Sequence, residues 1–319
     1  MKKILLGVVA ILILGAGAFG VVLYTASRGQ GAGELEAVYM QASDRMVEIA
    51  GARVRVREEG SPSNPPVLLI HGFTHSLETW DAWALALRDD YRVIRYDLLG
   101  HGLTGPDPQK RYAPEERAAF IGAVLDALEI NKTAIAGNSL GGLAAWRFAS
   151  AYPERVSALA LISPGALPLN GVGDEPAPIP APMKAYLLTA PEAGVRASAQ
   201  LIYGDDAKIT EERLQTMRDM MRREGNGAAM IESLKEFTLP DPSEALAAIA
   251  APTLILWGAE DIIIPVAQGR EIAAMMPNAE LIEYPGVGHA AQEEAPMTSV
   301  ADFKDFLSKQ TALTELSAN

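Results

Sequence analysis

The amino-acid sequence predicts an α/β protein with a mainly parallel sheet that is covered by helices on both faces. Three observations support this class. From residue 67 onward, short apolar runs typical of buried strands alternate with longer segments of helical periodicity. One of these runs ends in Gly-Asn-Ser-Leu-Gly and passes directly into a helical pattern. The stretch 164–250 shows no strand pattern, which predicts a helical insertion between two strands of the sheet.

The N-terminal stretch is predicted to lie outside this fold. Lys2 and Lys3 precede the run Ile4–Tyr24, which contains 21 uncharged residues and is long enough to cross a bilayer. Residues 1–24 are therefore predicted to be a transmembrane signal anchor or, alternatively, a signal peptide cut after Ala18. Because the lysines favour the inner side, both alternatives place the catalytic domain outside the cytoplasm, as a membrane-anchored or a secreted protein.

The sequence divides the remaining chain into a connecting segment, a core and an insertion. Residues 25–44 are predicted to be a Gly-rich linker with a short amphipathic helix. The core is predicted to comprise residues 45–163 and 251–319, and the helical cap residues 164–250. The cap begins with a Pro-rich stretch and is expected to cover the active end of the sheet; the alternative is a separate bundle away from the site.

Within the core, a hairpin precedes the alternating elements. The hairpin strands are Met46–Ile49 and Arg53–Arg57. The other predicted strands are Val67–Ile70, Tyr91–Arg95, Thr133–Ala136, Val156–Ile162, Thr253–Leu256 and Ala279–Glu283. The predicted helices of the core are Thr79–Leu87, Ala113–Leu128, Leu140–Ala151, Val266–Met275 and Met297–Lys309.

Composition excludes several classes of function. The net charge is −13 and no cluster of lysine or arginine occurs, which argues against a nucleic-acid partner. The chain has no cysteine, so thiol catalysis, disulfides, thiolate metal sites and a lipoprotein anchor are excluded. The four histidines are scattered without ligand spacing, and no metal or cofactor is predicted. The oligomeric state stays open.

The pattern Gly137-Asn-Ser-Leu-Gly141 carries the prediction of chemistry. A serine between a buried strand and a helix lies on a strained turn with its hydroxyl exposed, which is the geometry of a nucleophile elbow. The helix that begins at Leu140 directs its N-terminal amides at the same point. Ser139 is therefore predicted to be the nucleophile.

The partners of Ser139 are sought just after strands, because catalytic groups of open α/β sheets lie at the carboxyl ends of the strands. Asp261 follows the strand ending near Trp257, and His289 follows the last strand. A histidine can remove the hydroxyl proton, and a buried carboxylate can orient that histidine. Asp261 and His289 are predicted in these roles. Glu260 is adjacent to Asp261, and Asp97 is the alternative acid.

Two backbone amides are expected to stabilise the oxyanion. The loop after the first parallel strand supplies the N–H of Phe73, and the elbow supplies the N–H of Leu140. His71, Gly72 and Asn138 are predicted to support these loops. His75 and His101 are expected to be structural loop residues, although His75 is also a candidate for lining the pocket.

These motifs together resemble the capped α/β-hydrolase superfamily. The resemblance covers residues 47–307 and rests on five motifs in order: His71-Gly-Phe, Asp97-Leu-Leu-Gly-His-Gly, Gly137-Asn-Ser-Leu-Gly-Gly, Gly258-Ala-Glu-Asp and Gly286-Val-Gly-His. The order Ser139, Asp261, His289 is the one found in α/β-hydrolases. Thr104 is a departure, because many relatives have serine there. Serine at position 139 argues against the haloalkane dehalogenases and epoxide hydrolases, which use aspartate.

The resemblance implies a serine hydrolase that is similar to bacterial esterases and lipases. The expected substrate is a small carboxylic ester with apolar groups, hydrolysed through an acyl-enzyme. Nine apolar cap residues could roof a pocket, although some must pack the cap's own core: Met183, Tyr186, Leu187, Leu188, Leu201, Ile202, Met217, Met220 and Met221. The alternatives are a C–C bond hydrolase of the meta-cleavage-product type and a non-catalytic binding protein on the same fold.

Overall fold

The computed structural model describes residues 29–318, of which residues 311 and 313–318 are described as backbone only. Among the described residues, no helix is both long and apolar enough to cross a membrane. The predicted anchor Ile4–Tyr24 lies outside the described residues.

The centre of the described chain is a sheet of eight strands. They are β1 (Asp44–Ile49), β2 (Ala52–Glu59), β3 (Pro66–Ile70), β4 (Arg92–Tyr96), β5 (Thr133–Asn138), β6 (Val156–Ile162), β7 (Thr253–Gly258) and β8 (Ala279–Tyr284). Their order is β1-β2-β4-β3-β5-β6-β7-β8. The hairpin β1–β2 and the pair β2–β4 are antiparallel, and every other neighbouring pair is parallel. The predicted α/β class with a mainly parallel sheet is confirmed.

Twelve α-helices surround the sheet in the described part of the chain. They are α1 (Ala32–Tyr39), α2 (Asp81–Leu87), α3 (Pro114–Ala127), α4 (Leu140–Ala151), α5 (Ala181–Thr189), α6 (Glu192–Ile202), α7 (Glu211–Arg222), α8 (Asn226–Glu236), α9 (Ser243–Ala247), α10 (Val266–Met275), α11 (Ala291–Glu294) and α12 (Pro296–Ala318). A 3₁₀ turn, Leu77–Trp80, precedes α2.

The central strands are buried on both faces, as their unbroken apolar runs require. In β3, Val67 and Leu69 belong to one core cluster, whereas Leu68 and Ile70 belong to the other. The first cluster is closed by α2 and α12 through side chains such as Trp83, Leu87, Val300 and Phe303. The second is closed by α3, α4 and α10 through side chains such as Ile121, Val124, Leu143, Trp146 and Ile272. Helices thus cover both faces of the sheet.

Five helices, α5 to α9, lie between β6 and β7. Four of these helices contribute to a separate apolar cluster that includes Leu187, Val195, Leu214, Met217 and Met230. Ala290, from the loop after β8, is buried in the same cluster, and Phe73, from the loop after β3, packs against it. The inserted helices therefore contact the loops at the carboxyl ends of the parallel strands, where the predicted site residues lie.

The hairpin differs from an ordinary alternating strand with a solvated polar face. Arg55 and Arg57 of β2 are fully buried, and both pair with the buried carboxylate of Asp44. Glu78 lies 2.7 Å from Arg55, Asp97 lies 3.5 Å from Arg55 and Asp81 lies 3.3 Å from Arg57, so that each guanidinium group faces several carboxylates. Burying a charge is costly unless it is paired and hydrogen-bonded, and this pairing makes the burial possible.

Candidate active site

Ser139 occupies a strained turn between β5 and α4. Its φ of 53° and ψ of −112° are an unusual combination for a residue with a side chain. The N–H of Ser139 donates to the carbonyl of Ile162 at 3.0 Å, and the Ser139 carbonyl accepts from Gly165 N–H at 3.2 Å. These bonds fix the turn, and the partly exposed Ser139 lines the cavities described below.

Two glycines of the motif permit this tight turn. A Cβ at Gly137 would collide with the backbone of Gly141, and a Cβ at Gly141 would collide with the carbonyl groups of Ile70 and His71. The strand, the turn and the neighbouring strand β3 approach so closely that only hydrogen fits at these positions. This approach brings the loop after β3 next to Ser139.

His289 and Asp261 form a buried hydrogen-bonded pair. His289 Nδ1 lies 2.8 Å from Asp261 Oδ2, and both residues are almost completely buried. The other carboxylate oxygen, Oδ1, accepts the N–H groups of Ile263 and Ile264 at 2.9 Å each. A carboxylate facing Nδ1 places the imidazole proton on that nitrogen, which leaves Nε2 able to accept a proton.

Asn138 joins the elbow to the loop after β8 that carries His289, which we call the histidine loop. Its side-chain N–H₂ donates to the carbonyl of Ile162 and to the carbonyl of His289, each at 3.1 Å. Gly72 makes room for this amide, because a Cβ there would lie 2.9 Å from Asn138 Oδ1 and 3.2 Å from Ser139 Cβ. Ser139 and His289 are therefore held on linked backbone segments, and both line one cavity.

The two amides predicted to bind an oxyanion belong to Phe73 and Leu140, residues that line a cavity together with Ser139. Leu140 is the first residue of α4, so its N–H has no acceptor within the helix. Among residues 29–318, the structure shows no backbone acceptor for the N–H of Leu140 or Phe73. Phe73, Ser139 and Leu140 line the same cavity. Two free donors next to a serine can stabilise the negative charge of a tetrahedral intermediate.

His71 lies between the Phe73 loop and the Asp97 loop. Its Nε2 accepts the N–H of Leu98 at 2.9 Å, so Nδ1 carries the proton and donates to the carbonyl of Gly72 at 2.8 Å. Complete burial lowers the pKa of His71 to about 3. His71 is therefore neutral at physiological pH, and both of its nitrogens are occupied by loop contacts.

Asp97, the alternative acid, contacts backbone amides rather than His289. Its two carboxylate oxygens accept the N–H groups of Leu77 at 2.8 Å and of Leu103 at 2.7 Å, and Arg55 lies 3.5 Å away. Burial raises the pKa of Asp97 to about 6. Glu260 accepts the N–H groups of Gly286 and Val287 instead. Of the three acids considered, Asp261 is the one that contacts His289.

Two further histidines lie close to the site. His75 lines the cavity, its Nδ1 lies 2.8 Å from the carbonyl of Phe73, and its Nε2 lies 3.7 Å from the carboxylate of Glu293. Burial lowers the pKa of His75 to about 4. His101 is buried against the rings of His71 and Phe73, and its pKa is also lowered by burial. The sequence alone could not show whether His75 lines the cavity or is only a loop residue, because the cavity is formed together with residues of the cap.

Because these three histidines are buried and neutral, we expect the folded protein to lose stability in mild acid. His71, His75 and His101 take up protons near pH 6.5 when the chain unfolds but not in the folded state, so stability is lost as pH falls below about 6.5. Asp97 has the opposite effect, because its pKa is about 6 in the folded state and lower in the unfolded chain. Between these two pKa values the folded state binds the extra proton, so Asp97 adds stability as the pH falls. The net difference is about two protons, so we expect the free energy of unfolding, measured in urea, to fall by roughly 3 kcal/mol for each unit by which the pH is lowered near pH 5.5.

The variant His75→Asn provides the control for this prediction. Its amide N–H₂ can occupy the position of Nδ1 and donate to the Phe73 carbonyl, but it does not titrate. One proton fewer should be taken up on unfolding, so the slope of unfolding free energy against pH should be smaller than that of the unmodified chain by about 1.4 kcal/mol per pH unit. An unchanged slope would show that His75 is not held neutral in the folded protein.

Two adjoining cavities meet at Ser139. One, of about 640 Å³ including its open mouth, is lined by Phe73, Ser139, Leu140, Gly165, Leu167, Leu169, Ser233, Leu234, Phe237, Leu239, Ile263, Ile264 and Gln268. The other, of about 580 Å³, is lined by Gly72, Phe73, Thr74, His75, Asn138, Ser139, Met183, Tyr186, Leu187, Ser198, Ile202, Ile263 and His289. In the described chain, no lysine, arginine, aspartate or glutamate lines either cavity.

The structure separates the nine apolar cap residues into groups. Four line the second cavity: Met183, Tyr186, Leu187 and Ile202. Met217 and Met221 pack in the cap's own cluster, and Met220 packs with Leu35 and Leu103. Leu188 and Leu201 are exposed. Phe237 and Leu239, which line the first cavity, were not predicted, because their position at this cavity depends on how the cap folds back.

The cap is also fastened to the histidine loop. The N–H of His289 donates to the carbonyl of Ile202 at 2.7 Å. Glu294 accepts the N–H of Gly204 and the N–H of Gly288, each at 2.8 Å. One carboxylate thus joins a cap segment to the residue before His289.

Replacing Glu294 should destabilise the protein more than replacing an exposed carboxylate. Glu294→Ala leaves the amides of Gly204 and Gly288 without their acceptor, and we expect the free energy of unfolding to fall by about 2–4 kcal/mol. Glu283→Ala, which removes an exposed pair with Arg270, should cost less than about 1 kcal/mol. Urea denaturation measures both variants, and equal losses would contradict a structural role for the Glu294 bridge.

The fold and the site geometry define a protein of the α/β-hydrolase class. The chain belongs to this family: the family model described as alpha/beta hydrolase fold matches residues 65–296. The described residues contain no group of three histidine, aspartate or glutamate side chains that could hold a metal ion. Membership of this family and the similarity to hydrolases of the family support the assignment of this chain as a hydrolase.

Relatives with known activities differ in the reaction they catalyse. A 2-hydroxy-6-oxononadienedioate/2-hydroxy-6-oxononatrienedioate hydrolase of Burkholderia vietnamiensis is 31% identical over 258 residues, which are 76% of this chain and 86% of that protein. The dihydrolipoyllysine-residue acetyltransferase component of an acetoin cleaving system of Pseudomonas putida is 30% identical over 253 residues. The chain covers 65% of that component's length, and the match covers 78% of this chain.

Solved structures show the same fold at lower identity. A bacterial membrane phospholipase A superposes with a TM-score of 0.73 at 24% identity, covering 98% of this chain and 99% of that one. A meta-cleavage product hydrolase from Pseudomonas fluorescens superposes with a TM-score of 0.72 at 22% identity, covering 83% of this chain and 97% of that one. At such identities, the likeness concerns the fold alone.

Proposed function

We propose that this hydrolase cleaves neutral carboxylic esters with apolar groups through an acyl-enzyme on Ser139. The proposal rests on the convergence of Ser139, His289 and two amides on a pair of cavities. Within residues 29–318, these amides have no backbone acceptor and neither cavity has a lysine, arginine, aspartate or glutamate in its lining. An apolar cavity with a few convergent polar groups is typical of a site for a small apolar ligand.

The proposed acylation uses each of these groups once. Ser139 Oγ attacks the ester carbonyl carbon while His289 Nε2 takes its proton, and Asp261 stabilises the resulting imidazolium. The carbonyl oxygen becomes an oxyanion that accepts the N–H groups of Phe73 and Leu140. His289 then gives the proton to the departing alkoxide, and the acyl group stays on Ser139.

Deacylation reverses the roles. A water molecule gives a proton to His289 Nε2 and attacks the acyl carbonyl carbon. The second tetrahedral intermediate is held by the same two amides. When it collapses, the Ser139 oxygen recovers the proton from His289, and the carboxylic acid leaves.

The two cavities offer separate places for the two sides of an ester. The cavity lined by Leu167, Leu239 and Phe237 can accept one apolar group, and the cavity lined by Met183 and Tyr186 can accept the other. Because no cation lines either cavity among the described residues, a carboxylate buried there would have no ion-pair partner. Burying an unpaired charge is costly, so charged acyl groups should be poor substrates.

A series of p-nitrophenyl esters from acetate to palmitate tests this proposal. We expect hydrolysis of the short to medium members with an initial burst of p-nitrophenolate, and weak hydrolysis of a hemisuccinate of comparable length. The matched pair of butyrate and hemisuccinate separates chain length from charge. Inactivity toward every ester in the series would contradict the proposed substrate class.

A C–C bond hydrolase is the second candidate, favoured by the 31% identity to the dienedioate hydrolase. The name of that relative's substrate denotes two carboxylates, for which the described lining of this chain offers no cation. The same Ser139 and His289 could act on a vinylogous diketone. Cleavage of such a diketone by an enzyme that ignores all esters would establish this function instead.

We also propose that Ile4–Tyr24 holds the catalytic domain on the outer side of the membrane. Its length and the two preceding lysines support this location. Carbonate extraction of cells and sequencing of the mature N-terminus test it: the full chain should stay in the membrane fraction. A soluble protein that starts near Phe19 would contradict the anchor.

A further inference from the structure

The start of the described chain is attached to the cap. Gln30 N–H donates to the carbonyl of Arg222 at 2.7 Å, and the N–H of Glu224 donates to the carbonyl of Gln30 at 2.9 Å. Nearby, Tyr39 Oη donates to Asp219 at 2.7 Å, and Leu35 packs on Met220. Residues 30–39 are thus fixed along α7, on the cap.

The same attachment point lies beside the end of α5. The guanidinium of Arg222 donates to the carbonyl of Thr189, the last residue of α5, at 3.0 Å. Gln30 therefore contacts the backbone of Arg222, and the end of α5 contacts its side chain. Gly29, the first described residue, lies against the backbone of Arg222.

The length of chain before Gly29 brings the proposed anchor close to this point. Five Cα-to-Cα steps separate Tyr24 from Gly29, and at 3.3–3.6 Å each they span at most about 18 Å. If Ile4–Tyr24 spans the bilayer, the cap edge at Gln30 lies within about that distance of the membrane surface. The cap segment that contacts Gln30 is then held close to the lipid, and the end of α5 contacts the same segment.

The exposed surface of α5 is unusually apolar for a chain of net charge −13. Met183 is 43% exposed and Leu188 is 36% exposed. Lys184 is the single charged residue between Pro176 and Leu188 in the sequence. The exposed residues of this surface, which we call the α5 face, are Ala181, Pro182, Met183, Lys184, Ala185 and Leu188. Apolar side chains with a lysine among them suit the boundary between lipid headgroups and acyl chains.

The α5 face also borders the active-site cavity, because Met183 lines that cavity together with Ser139 and His289. We propose that the α5 face rests on the lipid bilayer, so that apolar esters dissolved in the membrane pass beside Met183 into the cavity. This inference depends on the proposed anchor and gives the proposed ester hydrolase a source of substrate.

The absence of cysteine makes a direct test possible in the full chain. Leu188→Cys places a unique thiol on the α5 face. Tyr152→Cys places the control thiol at the other end of α4 from the elbow, where the side chain is 41% exposed. Each variant is labelled with an environment-sensitive fluorophore and reconstituted into vesicles of three parts phosphatidylcholine to one part phosphatidylglycerol. Doxyl-labelled lipid then serves as the quencher.

We expect lipid quenching of the label at position 188 to be at least several-fold stronger than at position 152. Equal quenching at the two positions would overturn the proposal, as would a chain that fails to float with the vesicles. Crosslinking of two chains through cysteines at position 188 would assign the α5 face to a second copy of the chain and would also overturn it.

A kinetic arm separates docking from chemistry. Leu188→Glu should leave the hydrolysis of dissolved p-nitrophenyl butyrate unchanged, because Leu188 does not line either cavity. Hydrolysis of p-nitrophenyl decanoate, a medium-chain ester embedded in the vesicles, should fall at least tenfold. Unchanged rates on both substrates would contradict the docking surface. A wild-type chain that hydrolyses neither ester would refute the proposed ester hydrolase, while the quenching measurement would still decide the docking.

Discussion

Ser139→Ala is expected to lower kcat for ester hydrolysis on the order of 10⁶-fold, since it removes the oxygen that forms the acyl-enzyme. The fold should survive, because the backbone bonds of Ser139 to Ile162 and Gly165 do not involve the side chain. Steady-state rates with p-nitrophenyl butyrate and thermal melting measure the two effects. The burst of p-nitrophenolate should vanish along with turnover.

Ser163→Ala is the matched control for this variant. Ser163 also follows a parallel strand, has a positive φ of 42° and is fully buried, but it does not line either cavity. Its hydroxyl has no hydrogen-bond partner in the described structure. We expect kcat within a few-fold of the unmodified enzyme. Comparable losses in the two variants would indicate a general effect on this edge of the sheet and would contradict a nucleophilic Ser139.

Asp261→Asn is expected to lower kcat by roughly 10⁴-fold, by analogy with other triads. The asparagine carbonyl can keep the N–H groups of Ile263 and Ile264, but its N–H₂ would face His289 Nδ1. That nitrogen must then accept, so the imidazole proton moves to Nε2, where the base is needed. The loss should appear in kcat with a much smaller change in KM, because neither cavity is lined by Asp261.

The control for Asp261→Asn is Glu260→Gln, which changes the neighbouring carboxylate that contacts backbone amides rather than the histidine. We expect it to retain activity within about tenfold. Full activity of Asp261→Asn would show that another group orients His289. Asp97, the acid considered as an alternative, is bound to the amides of Leu77 and Leu103 and would have to move to do so.

The sheet could be predicted from sequence because its strands are buried on both faces. The predicted strand Val156–Ile162 matches β6 residue for residue, and Leu140–Ala151 and Val266–Met275 match α4 and α10. Most other bounds shift by one or two residues, whereas the last helix, predicted to end at Lys309, continues for nine more residues to Ala318. The short helix Ala291–Glu294 was not predicted, because four residues carry too little periodicity.

The sequence positions of Ser139, Asp261 and His289 lie after strand ends, and the parallel sheet brings such positions to one edge. Contacts that depend on the cap could not be predicted in this way. Glu294 joins the cap to the histidine loop, and Phe237 reaches the cavity only because the inserted helices fold back. Arg55 and Arg57 gave no sign of burial, since their alternation is that of a solvated strand face.

Intact-mass spectrometry of the full chain, quenched in acid during turnover of p-nitrophenyl butyrate, tests the central claim most directly. We expect one butyryl group per chain, mapped by peptide sequencing to Ser139, with the adduct absent in Ser139→Ala and present in Ser163→Ala. Turnover of the ester with the adduct on a different residue, or turnover that persists in Ser139→Ala, would contradict it.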